Sequence, residues 1–271
     1  MIAHLIANMG SGPGALLVLL LAGHVLGDFL FQTEWMARQK EEHPGPLFLH
    51  AAVMLGVHTA VLSPFLTADI WIGLVCLAVV HLILDALRSR ALGDWGRTLA
   101  AFFVDQALHV VAVLVLWGVV GSASGFETVR WLPSTEWVAW SARWMGVVSG
   151  YVFAGGGAER IVRGVLERFE ETVKEPGLTE AGGSGAQGGR ADEMERKHPT
   201  GRLIGYLERF LTLTLILGGQ WAALGLILAA KSIARFPELK DKPFAEYYLL
   251  GTLTSILVAV AIGIPLRLLL Q

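Results

Sequence analysis

Eight residues of the N-terminal region have the types and the spacing that a metal site needs: His24, Asp28, His50, His58, His81, Asp85, Asp105 and His109. The pairs His24/Asp28, His81/Asp85 and Asp105/His109 are each four apart, which sets both members on one face of a helix. His50 and His58 are eight apart and again lie close to one face. Imidazole and carboxylate are the usual donors to Zn²⁺, Fe²⁺ or Mn²⁺. A carboxylate can also orient a ligating imidazole from behind, or act as a general base, the role open to Asp28, Asp85 and Asp105. All eight sit inside apolar runs, where an ionisable group is expensive and therefore a functional candidate.

Stepping from these residues to the segments that must hold them, the chain reads as all-α and polytopic. Of its 271 residues 54% are hydrophobic and 16% charged, with a mean hydropathy of +0.57, against roughly 25% charged in soluble domains. The net charge of −2 argues against a nucleic-acid-binding surface. Cys76 is the only cysteine, so no intramolecular disulfide forms. A spanning helix needs about 20 mostly apolar residues, and seven segments are predicted to meet this: 14–36, 46–66, 70–87, 99–120, 137–154, 207–230 and 247–269. No basic region precedes the first, and Asp28 interrupts it where a cleavage site would follow, so it reads as a retained span.

Lys and Arg in the short loops set the expected orientation. Arg38 and Lys40 follow span one; Arg88, Arg90 and Arg97 follow span three; Arg160, Arg163, Arg168 and Lys174 follow span five. The intervening loops hold only Arg130, which predicts an outward N-terminus in a bacterial inner membrane. Lys231, Arg235, Lys240 and Lys242 conflict with this frame, so the last two spans are either an exception or partly re-entrant. Three regions follow: a five-span region 1–157, an insert 158–202, and a two-span region 203–271. The insert opens with an amphipathic helix over 158–174, suited to a cytoplasmic partner, and continues as a Gly/Ser/Ala-rich linker over 176–190.

Depth ties the eight residues together. At about 1.5 Å per residue, His50 and Asp85 fall roughly 5 Å from the inner end of their spans, His81 and Asp105 roughly 10 Å, and Asp28, His58, His109 and His24 roughly 13–20 Å. Helix bundles build metal sites from residues projected inward at such shared levels. The cofactor expected is a divalent metal, Zn²⁺ first, with Fe²⁺ or Mn²⁺ as alternatives. Three functions are open. The first is a metal-dependent hydrolase acting on a lipid-linked or amphiphilic substrate. The second is a cation or proton transporter using the cluster as a transit site. The third is a structural or regulatory membrane protein locked by polar contacts. Membrane lipids are the expected surroundings in each case.

The segments 23–40 (GHVLGDFLFQTEWMARQK), 81–88 (HLILDALR) and 105–111 (DQALHVV), with the two histidines of span two, resemble a bacterial family of integral membrane proteins of unknown function. GRLIGYLERF (201–210) and the run AAKSIARFPELKDK (229–242) are similar to that family's C-terminal half. The resemblance implies a membrane bundle and no particular activity. A looser similarity, in the placing of His/Asp pairs in early spans, is to membrane-bound metal-dependent hydrolases.

Overall fold

The computed structural model describes residues 13–123, 135–173 and 200–271, and every regular element among them is helical. The predicted linker over 176–190 lies outside the described residues. Ten α-helices follow one another: α1 Pro13–Leu26, α2 Glu34–Gln39, α3 Pro44–Val61, α4 Ala68–Ala86, α5 Leu99–Ala123, α6 Thr135–Val152, α7 Ala158–Val173, α8 Thr200–Leu217, α9 Trp221–Ala234 and α10 Lys242–Leu270. Three α-helices run on into a π turn: α1 into Gly27–Phe31, α4 into Leu87–Ala91 and α6 into Phe153–Gly157. Among the described residues five helical stretches, not the seven expected, are long and apolar enough to cross a membrane: Pro13–Phe31, Pro44–Val61, Ala68–Ala91, Leu99–Val120 and Lys242–Leu270.

The chain divides into two units, one of Met1–Phe153 with Pro265–Gln271, the other of Ala154–Ile264. In the first, α1 is the central helix. Ala15 to Leu20 are six consecutive buried residues, so this stretch is enclosed on every side. It packs against α3, α5 and α6, while α4 packs against α3 and α5. Close approach of α1 to α3 depends on small residues four apart. A Cβ at Gly23 would stand 2.8 Å from His58 Cδ2, and one at Gly27 would stand 2.0 Å from Met54 Sδ. The outer faces are apolar: α4 buries Leu74, His81 and Asp85 but exposes Ile72, Val79 and Ile83. Polar groups inside and apolar groups outside is the pattern of a bundle surrounded by hydrocarbon, consistent with a membrane protein.

Most helix ends differ from the sequence reading by a few residues, and two segments differ in kind. The first apolar run ends at Phe31 rather than at residue 36, because Gln32 and Thr33 are extended (ψ 103° and 155°) and the Thr33 side chain caps a new helix by accepting from Met36 N–H. Trp35 and Met36 therefore belong to α2. The segment 207–230, read as one span, is two helices. Gly218 and Gly219 end α8, Gly219 at a left-handed φ of 73°, and α9 starts at Trp221. Hydropathy runs through this break and conceals it.

In the second unit α8 and α9 form a hairpin, and Lys231 Nζ meets Glu208 Oε2 at 2.5 Å. These residues sit about equally far from the turn, so α9 runs back alongside the second half of α8. Arg209 is buried and its Nε donates to the Ala154 carbonyl at 2.6 Å, while Tyr206 hydrogen-bonds Glu159. The helix predicted over 158–174 is present as α7.

Candidate metal centre

All eight sequence-predicted residues are buried, and all lie in the first unit. α1 and its π turn supply His24 and Asp28, α3 supplies His50 and His58, α4 supplies His81 and Asp85, and α5 supplies Asp105 and His109. The π turn widens α1 at Asp28, a distortion that recurs at functional sites.

Four donor atoms from three elements converge. His50 Nε2 lies 3.0 Å from His81 Nε2, 3.2 Å from Asp28 Oδ1 and 3.6 Å from Asp85 Oδ2. His81 Nε2 lies 3.5 Å from Asp28 Oδ1 and 3.9 Å from Asp85 Oδ2. Ligands about 2.0–2.1 Å from a tetrahedral Zn²⁺ stand about 3.3 Å from one another. The five separations bracket that value, and the ligand atoms of His50, His81 and Asp85 all lie within 4.8 Å of one another, with Asp28 Oδ1 beside both imidazoles. Two facing imidazole nitrogens at 3.0 Å also need something between them, a shared proton or a cation, because two lone pairs repel.

Around these atoms lies a second ring of polar groups. Gln106 donates from Nε2 to Asp28 Oδ2 at 3.2 Å and to Asp105 Oδ2 at 3.3 Å, and its Oε1 lies 3.3 Å from His24 Nε2. His24 Nε2 is 3.8 Å from Asp28 Oδ2. Asp105 is thus set back from the four converging atoms, against Gln106 and Arg88, whose Nη1 donates to Asp105 Oδ2 at 3.1 Å. His58 and His109 turn their Nδ1 atoms to backbone carbonyls, of Met54 at 2.9 Å and of Asp105 at 2.8 Å.

Three contributors were not assigned a site role from the sequence. Lys40 donates to Asp85 Oδ2 at 2.9 Å, Arg88 holds Asp105, and Gln106 joins α5 to α1. Lys40 and Arg88 read as loop charges that set orientation. Only the fold reveals that both side chains turn back into the bundle. Arg90 Nε donates to the Lys40 carbonyl at 3.0 Å, so three cations gather at this end of the site.

At the opposite end the bundle is closed by apolar side chains. Leu16, Leu20, Leu62, Phe65, Leu74 and Val113 belong to one buried cluster. Each lies beyond the His/Asp level on its own helix, away from Lys40 and Arg88.

Fold and site together define an all-helical protein with membrane-length apolar helices around a buried His/Asp cluster capable of holding a metal ion. The family described as Protein of unknown function (DUF3307) matches residues 16–137. That stretch contains all eight residues of the cluster together with Lys40, Arg88 and Gln106. No curated protein and no solved structure matches the chain.

Proposed function

We propose that the protein is a membrane-embedded, metal-dependent hydrolase of an amphiphilic substrate with an anionic headgroup. The observation that carries this reading is the convergence of His50 Nε2, His81 Nε2 and Asp85 Oδ2 into a buried group able to hold a cation, with Asp28 Oδ1 3.2 Å from His50 Nε2 and 3.5 Å from His81 Nε2. Zn²⁺ fits this donor set best, with Mn²⁺ and Fe²⁺ as alternatives. A divalent cation held there supplies Lewis acidity near neutral pH. In the overall reaction water adds across the scissile bond, its hydroxyl to the electrophilic centre and its proton to the leaving group.

The chain's own residues suit such a reaction. Gln106 fixes the Asp28 carboxylate, and Asp105 anchors Arg88. Lys40, Arg88 and Arg90 place positive charge at one end, where the headgroup of a lipid-like substrate would dock. The apolar closure at the other end favours this reading over cation transit, which needs polar access from both sides. With the N-terminus outward, the returning α8–α9 hairpin also brings Lys231, Arg235, Lys240 and Lys242 back to the side from which α8 starts. That is the cytoplasmic side expected from the other basic loops.

The test is turnover of phosphate-, ester- and amide-bearing amphiphiles by Zn²⁺- or Mn²⁺-loaded protein in mixed micelles. Hydrolysis that falls at least about 100-fold in Asp85→Asn supports the reading. Metal-loaded protein that cleaves none of the three classes, yet passes cations into sealed vesicles, contradicts it.

A further inference from the structure

The four converging atoms leave half of the cluster unused, and that half has the features of a second site. Asp28 has one carboxylate oxygen in each half. Oδ1 faces His50 and His81, at 3.2 and 3.5 Å, and Oδ2 faces Gln106 and His24, at 3.2 and 3.8 Å. The donor atoms of His24, Asp28 and His81 form a ligand group distinct from that of His50, His81 and Asp85, and both groups are fully buried.

Beside Asp28 Oδ2 two histidines are prepared to ligate. A carbonyl oxygen only accepts, so the Met54 and Asp105 carbonyls fix the proton on Nδ1 of His58 and of His109. Each Nε2 is therefore a bare lone pair, the form in which imidazole binds a metal. Among the described residues His109 Nε2 has no hydrogen-bond partner although its side chain is buried, while His58 also meets the Leu20 backbone. Buried acceptors left in this state are costly and call for an explanation. His24, His58, His81 and His109, with six apolar side chains, line a cavity of about 10 Å³ that lies next to Asp28 through His24, close to the space that one water or ion fills. The rings of His24 and His109 stack at 5.3 Å, and that of His81 lies 4.3 Å from His109.

We propose that the centre holds two divalent cations, with the Asp28 carboxylate shared between them. One is held by Asp28, His50, His81 and Asp85. The other is held by Asp28, His24 and His109, with His58 on the cavity wall. The proposal rests on reading the cluster as a metal site and adds to it a second ion with its own ligands.

Two measurements on untagged full-length protein in detergent test it. After loading with Mn²⁺ and removal of excess ion, elemental analysis should give two Mn per chain, and the electron paramagnetic resonance spectrum should show an exchange-coupled pair. His109→Ala should reduce the content to one and convert the spectrum to that of an isolated ion. Asp85→Asn should reduce occupancy of the first site while leaving that of the second. One ion per chain in the unmodified protein, or an uncoupled spectrum at a content of two, overturns the second site while leaving a single-metal hydrolase intact. A content of zero overturns both. The measurements on unmodified protein need no variant to fold, and His58→Gln provides a milder change if His109→Ala does not.

Discussion

At the residue scale, the cluster resolves into groups with different sensitivities. His50, His81, Asp28 and Asp85 would each contribute a direct ligand atom, so Asp28→Asn should abolish stabilisation by metal and His50→Ala should reduce it. For the unmodified protein, Zn²⁺ at 100 times its Kd raises stability by about 2.7 kcal/mol. Thermal unfolding with and without Zn²⁺ should show that gain in the unmodified protein, a smaller gain in His50→Ala and none in Asp28→Asn. Gln106 acts through Asp28, so Gln106→Ala should weaken metal affinity by about 10- to 100-fold without eliminating it. Lys40 competes with a cation for Asp85 Oδ2, which it holds at 2.9 Å with only 12% of its side chain exposed. Lys40→Met should destabilise the metal-free protein by about 3 kcal/mol, because it strands a buried carboxylate. It should also tighten Zn²⁺ binding in a competition titration, because the cation then becomes the only countercharge. Weaker binding in Lys40→Met would mean that the lysine positions Asp85 rather than competing for it. The eight candidates were legible from residue type and four-residue spacing alone. Lys40 was not, because nothing in a loop sequence says that a side chain folds back over a helix end.

At the element scale, the site depends on how closely α1 approaches α3. The glycines at 23 and 27 make that approach possible, and they flank His24 and adjoin Asp28. The atom in the way of a Cβ at Gly27 belongs to the flexible Met54 side chain, whereas at Gly23 it belongs to His58, whose ring is tied to the Met54 carbonyl. Gly23→Ala should therefore cost about 1–3 kcal/mol of stability and weaken metal binding more than Gly27→Ala does. Equal metal affinity in the two variants, measured by titration, would show that the His58 ring is not constrained. Helix positions were legible to within a few residues where apolar runs meet prolines or loop charges: the second span was read from residue 46 and starts at Pro44, and the third was read to residue 87 and runs on to Ala91. The pairing of those helices was not. Depth along a helix can be counted in a sequence, but rotation about the axis and the choice of neighbour come from packing.

At the scale of the whole molecule, five helical stretches have membrane length, and the α8–α9 hairpin adds a returning element. The basic run after residue 230 conflicts with the predicted orientation when 207–230 is read as one crossing, and that segment is two helices. The left-handed Gly219 turns the chain, and the Glu208–Lys231 pair at 2.5 Å fixes the two arms antiparallel. Within this unit, a membrane-impermeant thiol reagent should label Lys240→Cys and Arg168→Cys from the same side, in a background of Cys76→Ala. Labelling from opposite sides would mean that the hairpin crosses the membrane only once. A hydropathy window averages over a two-glycine break, so this feature needed the structure.

The most direct test of the central claim is the metal content of untagged protein purified in mild detergent, measured by elemental mass spectrometry. The account predicts stoichiometric Zn, Mn or Fe in the unmodified protein, retention in His43→Ala, whose imidazole lies outside the cluster, and a reduced content in His81→Ala, whose imidazole faces Asp28 and His50. Folded, monodisperse protein that holds no metal even after loading, or whose metal survives His81→Ala unchanged, would contradict it and leave the cluster as a hydrogen-bonded lock between helices.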